Sequence, residues 1–201
     1  MLMTLGYLSN KMSFSELNNA LIRVNEESAW VGVAEIFSHN ITDHTVRDKC
    51  LQGLEHLLKN APATDDIFYS VASVFNDEGS KYTSLSMSLI EAYFTYVTRI
   101  PNRKRISMYN FPDWLNGICQ EESDLALFAA ETLLEKVMDT DLDIRANEKF
   151  TNLLTCLFRE AEEREETDGG NMLQRVIVLQ NSLLEKGVSN IENWLREAER
   201  P

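Results

Sequence analysis

The sequence predicts an all-α protein built from stacked helix pairs, and three observations carry that prediction. An apolar stripe with helical spacing recurs at a nearly constant interval; only eight Gly and four Pro interrupt 201 residues; and no alternating apolar and polar run offers a strand. The stripe is clearest in residues 124–137, where Leu125, Ala129, Ala130 and Leu133 stand at offsets 0, +4, +5 and +8. That is the buried side of an amphipathic helix. Val46, Cys50, Leu51 and Leu54 repeat the offsets, as do Leu85, Leu89, Ile90 and Tyr93, so the copies begin at Val46, Leu85 and Leu125 with a nearly constant step. A second series, Trp30, Phe68, Trp114, Leu153 and Trp194, advances by a similar step and interleaves with the first. Two interleaved series at one period describe antiparallel helix pairs.

Taken in order, residues 1–12 read as a flexible N-terminal arm, and residues 13–201 as a single all-helical domain. Ser13 and Glu16 have the spacing of a capping box, with Leu17, Leu21 and Val24 facing inward from the helix they open. Ser28 is placed to cap the next helix, whose apolar face is Trp30, Val31, Val33, Ile36 and Phe37. The first copy of the stripe follows the polar break at His39–Asp43 and ends before Pro62, which cannot continue a helix. Thr64, Asp65 and Asp66 open a helix with Ile67, Phe68, Val71 and Val74 inside, the acids offsetting its dipole. The second copy runs from about Tyr82 to Thr98. Pro112 then starts a short helix carrying Trp114, Leu115 and Ile118, and Ser123 or Asp124 caps the third copy. Phe150, Leu153, Leu154, Leu157 and Phe158 form the inner face of the next helix, which drops into a flexible loop at Gly169 and Gly170. Leu173, Val176, Ile177, Leu179, Leu183 and Leu184 serve a further helix, and residues 190–200 a last one.

Two short segments, Thr42–Arg47 and Thr140–Arg145, each place an acidic turn before an aliphatic–Arg pair. Together with the recurring step of the stripe, they make residues 28–186 resemble HEAT/armadillo-like helical repeat proteins. The resemblance implies a short right-handed α-solenoid of about four stacked antiparallel helix pairs, with extra terminal helices, whose curved surface holds another macromolecule without catalysis. Stacked pairs leave one face formed by successive second helices. The partner must be read from chemistry, because one fold hosts many functions.

Charge supplies that reading. The formal net charge of −13 is regional: residues 1–60 carry −2, residues 61–120 carry −1, and residues 121–201 carry −10. A field of that sign opposes nucleic acid, whose phosphates are held by Lys and Arg, and favours a basic protein partner. The expected function is therefore a non-enzymatic protein-binding module docking a basic partner through the acidic C-terminal half. Its concrete form is an inhibitor or immunity protein that neutralises a cationic toxin, since opposite fields speed encounter. Glu131, Glu135, Glu148, Glu162 and Glu166 lie off the apolar stripes of their helices and are the expected partner-binding residues. The alternatives are an acidic surface that serves solubility alone, a self-associating adaptor or homo-oligomer whose Arg99, Arg103, Lys104 and Arg105 meet the acidic end of a second copy, and an α-helical enzyme with a site that no motif marks. The same basic cluster also suits a helix C-terminus, where cations complement the dipole.

Chemistry is otherwise unmarked. Asp139, Asp141 and Asp143 imitate the start of a calcium loop, but Ile144 replaces its turn glycine and Phe150 its bidentate Glu. His39, His44 and His56 do not assemble four zinc ligands, and the three cysteines lack CxxC spacing. No GxSxG turn, glycine-rich phosphate loop or Glu-x-x-His pair occurs. No catalytic residue, cofactor or metal is expected. Cys50, Cys119 and Cys156 fall among apolar residues and are expected as buried free thiols, which suit a reducing compartment. With neither a basic leader nor an apolar run of spanning length, the chain is expected to be cytoplasmic, without a membrane partner, and its Asn40–Thr42 glycosylation triplet fortuitous.

Overall fold

The computed structural model describes residues 2–75, 84–101, 110–137, 147–168 and 171–188, with the side chains of 147, 148 and 165–168 outside that description. Every regular element among the described residues is helical, so the protein is all-α. Chain packing separates two compact units, residues 1–76 with 85–103, and residues 77–84 with 104–201.

The first unit holds α1 (Leu2–Leu8), α2 (Phe14–Val24), α3 (Glu27–His39), α4 (Arg47–Asn60), α5 (Asp65–Ala72) with a 3₁₀ turn at Ser73–Phe75, and α6 (Met87–Arg99). α3 packs on both α4 and α5, and α4 packs on α6. Two copies of the sequence stripe lie here: Cys50 and Leu54 on α4 are fully buried, and Leu85, Leu89, Ile90 and Tyr93 are buried at and within α6. Their aromatic partners come from α5, where Phe68 stacks on Tyr93 with centroids 5.3 Å apart. In the α3–α4 contact Phe37 lies over Gly53: a Cβ at that glycine would stand 2.6 Å from Phe37 Cε2. A fully buried phenylalanine cannot swing aside without moving its neighbours, so the close approach requires glycine.

Helix ends follow the sequence signals in part. Ser13 and Glu16 form the reciprocal capping box, Thr64 accepts from the Ile67 amide, and Pro112 sits in the first turn of its helix. Ser28 does not cap α3, which begins one residue earlier after an extended Glu26 with no side-chain cap. The expected arm contains helix α1, held by Tyr7, whose hydroxyl donates to Lys49 O (3.2 Å) while Lys49 Nζ donates to Tyr7 O (3.0 Å). Val24, expected inside, is 52% exposed at the last residue of α2, beyond the turn that packs.

The second unit holds α7 (Phe111–Cys119), α8 (Ser123–Lys136), α9 (Asn147–Asp168) and α10 (Asn171–Glu185). α7 packs on α8 and α9; α10 packs on α9 and α8. The third copy of the stripe, Leu125, Ala129, Ala130 and Leu133, is buried on α8, and Trp114, Phe150, Leu153 and Leu157 complete the core around it. α9 stays helical through Asp168, so the run of acids before Gly169 forms its last turns. Ile177 is 37% exposed: Met172, Val176, Leu179 and Leu183 fix the buried side of α10, and a residue one step past Val176 is rotated about 100° from it. Residues 190–200 and the aspartates at 139–143 lie outside the described residues.

Gly53→Ala tests the α3–α4 contact. In an unconstrained helix this change gains about 1 kcal/mol, whereas a methyl against the Phe37 ring should cost about 1–3 kcal/mol in displaced core. Urea unfolding should show a lowered midpoint, and adding Phe37→Leu should recover part of it.

Candidate functional site

The acid-rich face belongs to the second unit, and its geometry starts from which side of α8 and α9 the apolar stripes consume. With Leu125, Ala129 and Leu133 turned inward, Asp124, Glu131 and Glu135 fall on the flanks of α8. Glu131 is met there by Arg175 of α10 in a bidentate pair, Nε to Oε1 at 3.0 Å and Nη2 to Oε2 at 2.7 Å. Glu131 is thus a tie between helices with its charge compensated, unlike the open docking residue expected from the sequence. Glu135, one turn further, is exposed.

On α9, Arg164 donates to Asp124 Oδ2 (2.8 Å) and Ser123 Oγ (2.9 Å) and lies 3.7 Å from Glu160. Residues 160 and 164 therefore turn toward the start of α8. Glu162, two residues from Glu160 and about 200° around the helix, is exposed on another side, with Glu163 exposed beside it. Lys149 is likewise tied, to Asp113 of α7. Three cations of the unit are thus engaged internally, while Glu135, Glu162 and Glu163 stay open to solvent. Glu148 and Glu166 lie on α9, but their side chains are outside the described ones.

Of the basic cluster, Arg99 is described, and it is committed to a helix end. Its Nη1 donates to Leu58 O (3.1 Å) and its Nη2 to Ala61 O (2.8 Å), so it covers carbonyls left open at the end of α4. The guanidinium also lies 5.7 Å from the Tyr96 ring centroid. Arg99, expected as part of a self-association surface, thus also caps α4 while remaining exposed. Arg103, Lys104 and Arg105 lie outside the described residues.

The thiols differ among themselves. Cys50 and Cys119 are buried, but Cys156 is only half-buried, because it precedes Leu157 at the edge of the buried side of α9. Burial, with Asp43 nearby, pushes the Cys50 thiol up to about 11. A largely apolar groove of about 410 Å³ opens in the first unit, lined by Met3, Leu17, Leu21, Val24, Val33 and Ile36. Among the described residues no three His, Cys, Asp or Glu side chains converge to hold a metal, and no helix is long and apolar enough to cross a membrane.

Because Glu131 and Arg175 are each about one-third exposed, their pair is partly screened and should couple by about 1 kcal/mol. Glu131→Lys should lower stability by about that amount in chemical unfolding, and Arg175→Glu in the same chain should restore most of it. No family model, curated protein or solved structure matches the chain.

Proposed function

We propose that the chain is a non-enzymatic binding protein that docks a basic protein partner through the acid-rich second unit. Its most concrete form is an inhibitor or immunity protein that covers a cationic toxin. The observation that carries this reading is an asymmetry of commitment: Lys149, Arg164 and Arg175 are consumed in internal ion pairs, whereas Glu135, Glu162 and Glu163 remain exposed on a region of net charge −10. Exposed carboxylates on rigid helices project a field that attracts a cationic surface at a distance and fixes its orientation at contact.

The pairing of helices within each unit supports the accompanying architecture, a short right-handed α-solenoid of the HEAT/armadillo kind. In the first unit α3 bridges α4 and α5 while α4 reaches α6; in the second, α7 bridges α8 and α9 while α8 reaches α10. We read each set as one helix pair laid on the next, a stacking that would leave a helical face for a partner within its unit.

Charge reversal at Glu135 and Glu162 tests the function without touching the Glu131–Arg175 tie. The double Lys variant should fold as the parent does, yet associate with the physiological partner about tenfold more slowly at low ionic strength. The difference should shrink as salt shortens the Debye length below about 5 Å. An association rate unchanged at low salt would assign the acids to solubility and the interface to another surface.

A further inference from the structure

Two of the three thiols meet across a helix contact whose register is fixed from both ends. α7 and α9 run in the same direction, since the earlier residues of α7 meet the earlier residues of α9. At one end Asp113 pairs with Lys149, and Asn116 Nδ2 donates to Lys149 O at 2.9 Å. At the other end Ser123 Oγ, a short turn beyond α7, reaches Glu160 Oε2 at 3.5 Å. Cys119 lies three residues after Asn116 and is the last residue of α7, just before the turn to Ser123; Cys156 lies seven after Lys149 and four before Glu160 on α9. Steps of three, four and seven return to the same side of a helix, so the two ties bring Cys119 and Cys156 face to face.

The pair is chemically unequal. Cys119 is fully buried and donates its S–H to Cys156, which is half-buried and therefore the thiol that solvent reaches. That hydrogen bond favours the thiolate of Cys156 and holds its pKa below the ordinary thiol value; Arg159 assists, while burial and Glu160 oppose. Cys119 is pushed upward, first by the same bond and then by burial. An accessible thiolate beside a second, sheltered thiol is the arrangement in which an attacking and a resolving cysteine divide an oxidation between them.

We infer that Cys119 and Cys156 form an oxidisable dithiol, a modification site at which hydrogen peroxide converts the two thiols into one intrachain disulfide joining α7 to α9. The Cys156 thiolate attacks one peroxide oxygen; the O–O bond breaks, the departing hydroxide takes a proton to become water, and Cys156 is left as a sulfenic acid. The Cys119 sulfur then attacks the Cys156 sulfur, the S–S bond forms, the S–O bond breaks, and hydroxide leaves with the Cys119 proton as a second water. The cysteines together lose two electrons, and one peroxide is reduced to two waters. Cys50 supplies an internal comparison, being buried in the first unit with its thiol raised to about 11.

The test uses the folded, full-length protein exposed to a small excess of hydrogen peroxide, then denatured and alkylated. The expected product is a monomer that has lost two hydrogens and takes up one alkyl group in place of three. Peptide mapping should find the alkyl group on Cys50 and a dithiothreitol-reversible link between Cys119 and Cys156. In Cys119→Ser the Cys156 sulfenic acid should persist and be trapped by dimedone; Cys50→Ser should form the link as the parent does. Three alkylatable thiols after treatment, a disulfide-linked dimer, or Cys156 oxidised to sulfinic acid while Cys119 stays alkylatable would each overturn the assignment. Because the decisive measurement is made on the unsubstituted protein, a variant that fails to fold does not blunt it.

Discussion

Each helix of this protein buries one apolar stripe and must find a neighbour to cover it, and that requirement sets the distances in sequence over which the structure is tied. The side-chain hydrogen bonds that join separate helices span similar lengths of chain: Tyr7 to Lys49, Ser88 to Glu55, Arg99 to Leu58, Asn116 to Lys149 and Arg175 to Glu131 lie 42, 33, 41, 33 and 44 residues apart. Four of these ties join elements separated by one intervening helix, and the Tyr7–Lys49 tie spans two, α2 and α3. Burial of the stripe is the favourable term, worth about 25 cal/mol for each Å² of apolar surface removed from water. The polar ties choose the register in which that burial happens.

Polar groups at the helix ends show how tightly the two requirements are joined. Tyr96 is fully buried on α6, yet its hydroxyl accepts from the Thr64 amide at 2.8 Å and donates to Pro62 O at 2.7 Å. Arg99, one turn later, covers the carbonyls at the end of α4. The break between α4 and α5 is thus held by side chains of α6, an element that follows both in the chain, and peptide groups of this part-buried turn find partners there. The phenol is correspondingly hard to ionise: desolvation raises its pKa, opposed by the Thr64 hydrogen bonds and by the Arg99 charge.

Electrostatics in the second unit obeys the same economy. Cations on α9 and α10 reach back to acids of α7 and α8, so each positive charge that fixes a register also removes one acid from the outer surface. Among the described residues Glu135, Glu162 and Glu163 are exposed on helix sides that the stripes leave free, with Arg159 exposed one turn before the last two. The same α7–α9 register that ties Lys149 to Asp113 sets Cys119 against Cys156, so a charge pair and a thiol pair share one structural cause.

The sequence by itself determined that the protein is helical, where most helices lie, and which residues fill the core. Leu89, Ile90, Tyr93, Leu125, Ala129 and Leu133 could be placed inside from spacing alone, because periodicity records which side of a helix avoids water. It also marked the Ser13–Glu16 box and the stop before Pro62, since caps and prolines act within a few residues. Tertiary structure alone decided which acids stay free: Glu131 and Glu135 are one turn apart on one flank of α8, yet only Glu131 meets an arginine, from a helix 44 residues on. It decided likewise that Val24 and Ile177 face solvent, that Gly53 must lack a Cβ beneath Phe37, and that cysteines of two different helices share a contact. Periodicity fixes the rotation of a residue about its own helix axis; which neighbour lies there depends on how far that helix slides and how it crosses another, and both are set by the packing of residues distant in sequence.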